Sequence, residues 1–332
     1  MRTALYSRTG SAHDVLSIAE RPRPEPGQGE VRVRVAWSGV NPSDVKSRAG
    51  TRSKELPYPE IIPHSDGAGV VDAVGEGVSS DRIGERVWIW NGAWGRAHGT
   101  AAEWMTLPSA QAVRLPDTVA MEVGANLGIP ALTALHALTV DGGVSGKRVL
   151  VAGGAGAVGH YAVQMARLLG ARQVIATVSS EEKAAIARAA GADSAIDYRR
   201  ENVTERVSQV TDGNGVDRII EVDFAANVAQ DFALIVPEGQ IVVYGSGAAE
   251  IPVPFVPAIL KNVRVSFFIV YHLTPADRAA ATKQLTAWLA AGALQHNIAL
   301  RLPLDRIAEA HEAIESGRVI GNVVLELDAT VH

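Results

Sequence analysis

The chain has 332 residues and not one cysteine. That absence removes disulfides, thiolate nucleophiles and every zinc site that needs a cysteine ligand. Long apolar runs are missing as well: charges interrupt each apolar stretch before it reaches the ~20 residues that a membrane-spanning helix requires. The N-terminus shows no basic segment leading into an apolar one, so no secretory leader is expected and the cytoplasm is the default location. Positive charge is not in excess either. With 31 Lys and Arg against 36 Asp and Glu, the net charge of −5 creates no field to gather nucleic acid or an anionic membrane.

What is present is a chain 47% hydrophobic and 20% charged, long enough to bury a large core in about two domains. One stretch organises it. From Arg148 a short apolar run turns through glycines and then changes to helical spacing, with Val158, Tyr161, Ala162, Met165, Leu168 and Leu169 on one face. Gly154, Gly156 and Gly159 fit G-x-G-x-x-G, and a second strand is predicted at 173–178. A glycine pattern alone is a weak signal, but strand, turn, helix and strand in that order make a βαβ unit. The backbone of Gly154, Ala155, Gly156, Ala157, Val158 and Gly159 is thereby the candidate seat of a dinucleotide pyrophosphate.

The segment before residue 116 reads as short strands and turns. Glu30 to Trp37 alternates Val31, Val33 and Val35 with Arg32 and Arg34, and further strands are predicted at 67–74, 86–90 and 101–107. This part is expected to be a mostly antiparallel, barrel-like domain. Composition turns helical at 121–138, and six strands are then predicted at 148–152, 173–178, 194–197, 217–222, 240–244 and 263–270. Helices fill the gaps, notably 181–190 and 225–235, which implies an α/β fold with a doubly wound, six-stranded parallel sheet. Thr274 and Pro275 suit the N-cap and first turn of a helix reaching about Ala291. A helix at 304–315 and a strand at 323–327 are expected to return to the first domain.

The order of barrel, dinucleotide fold and return segment resembles the medium-chain dehydrogenase/reductase superfamily. Gly39-Val-Asn-Pro-Ser-Asp44, Ser65-Asp-Gly-Ala-Gly69, Gly128-Ile-Pro-Ala-Leu-Thr-Ala134, Gln240-Ile-Val-Val-Tyr-Gly245 and Ala308-Glu-Ala-His311 sharpen this to its zinc-free quinone oxidoreductases of the zeta-crystallin type. The resemblance implies a GroES-like catalytic domain over 1–122 and 272–332 around a Rossmann domain at 123–271. It also sets Asn41, Ser65 and about Ile129 against the three catalytic zinc ligands of zinc-dependent relatives, so no metal is expected. His64 falls one residue early and is expected to be a hydrogen-bonded histidine near the site. Without a Lewis acid, the chemistry implied is hydride transfer to an acceptor that is already electron-poor, a quinone or conjugated enone.

NAD enzymes of this fold normally end the second strand with a carboxylate for the ribose hydroxyls. Here that place reads Ala176-Thr-Val-Ser179-Ser180, with Lys183 one helical turn on. In the resembling reductases the residues at Ser179, Lys183 and Tyr198 surround a 2′-phosphate, so NADPH is the expected cofactor. Glu181 and Glu182 would oppose it if they turned inward. The same resemblance gives Asn41 and Thr133 as residues at the nicotinamide end, and Tyr244, Gly245, Ser246, Phe268 and Asn322 as cofactor contacts. Lys46 stands where several relatives carry tyrosine, and is a candidate catalytic group against the alternative of a solvated side chain. Ser65 and a loop rich in large side chains, with Tyr58, Trp94 and Arg96, make the candidate substrate pocket; Trp88 and Trp90 are as readily core residues. His136, His160, His272 and His311 have no metal spacing and are expected to be structural.

The apolar sixth strand, if it ends the sheet, invites pairing with a second copy, and the resemblance implies a homodimer. The sequence therefore points to an NADPH-dependent quinone reductase with a small-molecule substrate and no nucleic-acid or membrane partner. An NADPH-dependent reductase of enone, enal or enoyl-thioester double bonds, and a non-catalytic NADPH-binding protein, are the alternatives.

Overall fold

The computed structural model describes residues 1–51 and 53–328, which divide into two compact units: Met1–Pro130 with the segment from Thr286 onward, and Ala131–Leu285.

The first unit opens with a ribbon in which β1 (Arg2–Leu5) pairs antiparallel with β2 (Ser17–Glu20) across α1 (Ala12–Val15). Its main sheet is built on β3 (Glu30–Val40), where the fully buried Val31, Val33 and Val35 alternate with Arg32 and Arg34 as the sequence predicts. Arg32 is buried too, and stays charged by pairing with Asp72 at 2.8 Å. The strand runs three residues beyond the predicted end and delivers Asn41 to the start of α2 (Pro42–Ala49), where the sequence suggested only a loop. The missed signal was local. Asn-Pro-Ser-Asp is an N-cap, a first-turn proline and an acid three residues on, and Asp44 Oδ2 accepts the Asn41 backbone N–H at 2.9 Å.

β4 (Asp66–Val74), β5 (Arg86–Ile89), β6 (Trp104–Pro108) and β7 (Ala112–Arg114) follow. β6 begins three residues later than predicted, because the Ala101 N–H and C=O bond to Pro63 and Ala4 instead of to β3. The predicted helix over 121–138 is broken in two. α3 (Met121–Gly124) ends early, residues 127–131 form a wide π-type turn containing Pro130, and only then does α4 (Leu132–Thr139) start.

The second unit alternates β8 (Arg148–Val151), α5 (Ala157–Leu168), β9 (Gln173–Val178), α6 (Glu181–Ala189), β10 (Ser194–Asp197), α7 (Val203–Val210), β11 (Val216–Glu221), α8 (Phe224–Leu234), β12 (Ile235–Val243), α9 (Phe255–Leu260) and β13 (Arg264–Phe267). All five pairings are parallel, in the order β10-β9-β8-β11-β12-β13. The chain reverses direction across the sheet beside β8, and the carboxyl ends of β8, β9 and β11 open onto the crevice where this topology takes ligands. The sixth strand is shorter than predicted, since the chain leaves the sheet at Phe268 and turns through Val270–His272. α10 (Pro275–Ala290) is capped as expected, Thr274 Oγ1 accepting the Asp277 N–H at 3.1 Å. Its first part still belongs to the second unit. β14 (Ile298–Pro303), α11 (Ile307–Glu315) and β15 (Asn322–Glu326) then complete the first unit, β15 pairing antiparallel with β3 and parallel with β14. Among the described residues no helix is long and apolar enough to cross a membrane.

Candidate active site

In the second unit the glycine turn links β8 to α5. A Cβ on Gly154 would lie 2.5 Å from the Ala176 methyl of β9, and one on Gly159 would lie 2.1 Å from the Gly153 carbonyl oxygen, so both positions accept only hydrogen. Gly156 is different: it is the N-cap of α5 and a Cβ there meets nothing nearer than 3.3 Å, which leaves its outer side open to a ligand. The first N–H groups of α5, from Ala157, Val158 and Gly159, have no acceptor within the helix and carry its positive end. Gly153, at φ +68°, reverses the chain into the turn, its N–H 3.3 Å from Thr177 Oγ1. Beside the turn lies a cavity of about 480 Å³ lined by Gly153, Thr177, Tyr198, Asn202, Asp223 and Asn227 among others.

At the tip of β9 no carboxylate is present. Lys183 Nζ donates to Ser179 Oγ at 2.9 Å, and Ser180 caps α6 by accepting the Lys183 N–H at 3.3 Å. These bonds hold ammonium and hydroxyl together as one patch. Glu181, which would repel an anion there, is turned to the Arg188 guanidinium. Tyr198 stands half exposed just beyond β10, and Arg200 faces Asp197 at 3.8 Å.

Elsewhere in this unit Thr133 is buried on α4 and lacks the backbone bond that Thr139 makes to Leu135 O at 2.9 Å, so its hydroxyl is not spent on its own helix. The rings of Tyr244 and Phe268 lie 6.5 Å apart, and Phe268 meets His136 at 4.7 Å. Gly245 admits no side chain, because a Cβ would sit 2.2 Å from Val222 O. Ser246 is occupied in its own turn, bonding both N–H and C=O of Ala248.

In the first unit, Asn41 and Ile129 are brought to one point, and what joins them is a carboxylate. Asp66, fully buried at the start of β4, accepts through Oδ2 from Asn41 Nδ2 at 3.0 Å and from the Ile129 backbone N–H at 3.0 Å. Ser65 is buried immediately before it. His64 is a hydrogen-bonded histidine as expected, and both of its ring nitrogens are engaged. Nδ1 lies 2.8 Å from Ser38 Oγ, and Nε2 lies 2.9 Å from His311 Nε2.

The hydroxyls resolve the tautomers. Thr100 donates to Asp66 O at 2.5 Å, so it accepts from Ser38, and Ser38 in turn accepts from His64 Nδ1–H. The bare Nε2 of His64 then receives the Nε2–H of His311. Burial pushes His64 down to about 3, and burial with the nearby His64 and Arg48 pushes His311 well below its ordinary value, so both rings are neutral. His64 has φ +78°, a conformation that glycine would adopt more readily.

The remaining substrate-side candidates belong to this unit also. Tyr58 donates its hydroxyl to Gly95 O at 2.7 Å and so anchors the 91–99 loop. Arg96 is half buried, donates to Gln111 Oε1 at 2.7 Å, and is pushed down by desolvation. Trp94 is 39% exposed, whereas Trp88 is fully buried as a core residue. Lys46 is exposed on α2. Asn322 is buried at the start of β15 and bonded through both N–H groups, backbone and side chain, to Asn297 O at 2.9 and 3.1 Å.

The sequence carries the same signature along its length. The Alcohol dehydrogenase GroES-like domain family matches residues 27–117, and the Zinc-binding dehydrogenase family matches residues 157–290. The human protein named quinone oxidoreductase is 32% identical over 309 residues, 92% of this chain and 91% of its own length. The chain belongs to the quinone oxidoreductases of the medium-chain dehydrogenase/reductase superfamily. Among solved members of that superfamily, an NAD-dependent alcohol dehydrogenase superposes with a TM-score of 0.89 at 30% identity, covering 99% of this chain and 100% of its own. The Escherichia coli quinone oxidoreductase, solved with NADPH, superposes with a TM-score of 0.86 at 25% identity, covering 98% and 100%. The fold is thus that of a two-domain oxidoreductase of this family, with a GroES-like part and a Rossmann sheet.

Within such a quinone oxidoreductase fold, three features lay outside the sequence reading. Asp66 was visible only as one letter of a motif, with no sign of what its carboxylate would hold. Gly153 precedes the glycine pattern and was legible as a fourth glycine. The buried acids Glu221 and Asp231 left no signal at all. Glu221 closes β11 and binds the Asp223 N–H and Asn227 Nδ2. Asp231 on α8 receives no hydrogen bond among the described residues, and burial together with Glu221 pushes it up to about 9.

Proposed function

We propose that this protein is an NADPH-dependent quinone reductase that works without a catalytic metal, and that it acts as a homodimer in the cytoplasm. The reading is carried by the node at Asp66. Asn41, Ser65 and Ile129, none of them able to rebuild a cysteine-histidine-cysteine site, stand where zinc-dependent relatives would place ligands, and neither nitrogen of the neighbouring His64 is available to a cation. The donor left over there, the second amide N–H of Asn41, is suited to an oxygen that gains charge.

When bound, reduced nicotinamide supplies a hydride from C4. The residues fit such a cofactor. The open face of Gly156 and the first N–H groups of α5 would take the pyrophosphate. The Lys183–Ser179 patch would take a 2′-phosphate, with Tyr198 beside it. Thr133 and the Tyr244–Phe268 edge are assigned to the nicotinamide end. Asn41 has one amide N–H on Asp66 and its backbone N–H on Asp44; the second amide N–H is the donor it retains for cofactor or acceptor. Such a site suits a quinone, in which incoming charge spreads over conjugated oxygens. Trp94 and Tyr58 are assigned to the flat ring, and Arg96 and Ser65 to the same pocket. Lys46, exposed on its helix, is assigned at most to the rim.

The dimer reading rests on the second unit's free edge. β13 ends the sheet, and Phe267 with Phe255, Val256, Ile259 and Leu260 of the adjoining α9 exposes a patch of large apolar side chains. Sedimentation showing only monomer at micromolar concentration would remove it. The reaction is tested by following oxidation of NADPH and NADH with 9,10-phenanthrenequinone and with a simple alkenal. Faster turnover of the quinone with NADPH supports the reading, and exclusive turnover of the alkenal transfers it to a double-bond reductase.

A further inference from the structure

We infer that Asp66 is a positioning residue of the reaction centre, acting through Asn41 and the 127–131 turn; this rests on the proposed role of Asn41 beside the reacting groups. Three observations carry it, and the carboxylate they concern is fully buried. One oxygen binds both Asn41 Nδ2 and the Ile129 N–H, each at 3.0 Å, and so ties the N-cap of α2 to the π-type turn. Its backbone is fixed in turn, because the chain His311, His64, Ser38, Thr100 ends on Asp66 O. Finally, the turn is shaped around it: a Cβ on Gly128 would come within 2.3 Å of Asp66 Oδ1.

The physical consequence concerns Asn41. An amide free to rotate presents either oxygen or nitrogen, whereas one whose nitrogen is held on a carboxylate has a single orientation. A charge-assisted bond fixes that orientation more firmly than a neutral one. The remaining N–H of Asn41 is therefore pre-aimed as a donor, and Ile129, which would otherwise bond along its helix, is drawn out of the regular α pattern to widen the turn. Asp66 touches no reacting atom in this account. Its contribution is the aim of a group that does.

The test is a double-substitution cycle on the full chain. Asp66→Asn and Asn41→Ala are each expected to lower kcat with NADPH and 9,10-phenanthrenequinone by about 10- to 100-fold, with the NADPH Kd changed less than about threefold. Together they are expected to lower it no further than Asn41→Ala alone, because the two act as one unit. Losses that multiply, or an Asp66→Asn protein with wild-type kcat, overturn the inference. If Asp66→Asn does not fold, Gly128→Ala takes its place, since the added methyl, 2.3 Å from Asp66 Oδ1 and 2.7 Å from Ile89 O, crowds the carboxylate without removing it. The same loss of kcat is expected, and wild-type kcat overturns the inference. A wild-type protein that turns over no acceptor removes the functional reading alone. The cycle is then read as urea midpoints, where non-additive shifts support the Asn41–Asp66 link and additive shifts overturn it.

Discussion

Replacing Lys183 by alanine isolates the phosphate from the rest of the cofactor. The ammonium is half buried and held 2.9 Å from Ser179 Oγ, so it is neither a free surface charge nor a fully desolvated one. Two unit charges at 4 Å attract by about 1 kcal/mol in water and about 4 kcal/mol at the dielectric of a protein surface. A half-buried pair lies between, at about 2 kcal/mol, and at 1.4 kcal/mol per decade this is roughly a 30-fold loss of affinity. NADH carries no 2′-phosphate and should lose nothing. The assay is titration of each reduced cofactor by its fluorescence, at two ionic strengths. The wild-type preference for NADPH should weaken with salt, and that of Lys183→Ala should be small at both. Equal losses for the two cofactors would refute the reasoning, because the damage would then lie in α6 and not in a charge pair. No loss at all would place the phosphate elsewhere.

Three further outcomes follow from the geometry. Gly154→Val, whose first side-chain carbon would already lie 2.5 Å from Ala176, should abolish binding of both cofactors and lower Tm by several degrees, measured by calorimetry. Asp231 is neutral when folded up to about pH 9 but ionises near its ordinary value when unfolded, so the folded state holds a proton that the unfolded chain releases. Stability is therefore lost as pH rises from about 4 towards 9; Asp231→Asn should be more stable than wild type at pH 8 by roughly 1–3 kcal/mol and indistinguishable near pH 4, by urea denaturation. His64 and His311 run the other way. Both are held below their ordinary value, so the unfolded chain takes up protons first and stability falls as pH drops below about 6.5; His311→Gln should flatten that acid slope by about 1.4 kcal/mol per pH unit.

The strand positions of the second unit were legible because apolar runs bounded by helices leave few alternatives. β8 to β13 fall where the alternation puts them, with ends displaced by a few residues. The glycine turn was legible for a related reason: the Cβ exclusions at Gly154 and Gly159 are strict enough to appear as spacing. The first unit was read less completely. α2 was missed although its capping signature was present, because eight residues with little apolar periodicity look like a loop. The break at 127–131 was missed because a helical composition does not report that Ile129 has a better acceptor in Asp66 than in its own helix.

The polar network of Ser38, His64, Thr100 and His311 lay beyond reach for another reason. Its bonded partners are separated by up to 247 positions and no local rule connects them. His64 was recognisable as a hydrogen-bonded histidine near the site, but its φ of +78° and its partner on α11 belong to tertiary structure. The site's donors were thus visible one at a time. That a buried carboxylate gathers them was not.

Oxidation of NADPH by 9,10-phenanthrenequinone, measured with the wild-type protein after exhaustive treatment with a zinc chelator, bears most directly on the account. It predicts undiminished, quinone-dependent turnover, faster with NADPH than with NADH. Loss of that turnover on chelation with recovery on adding zinc, or oxidation of a simple alcohol with no quinone reduction, would contradict it.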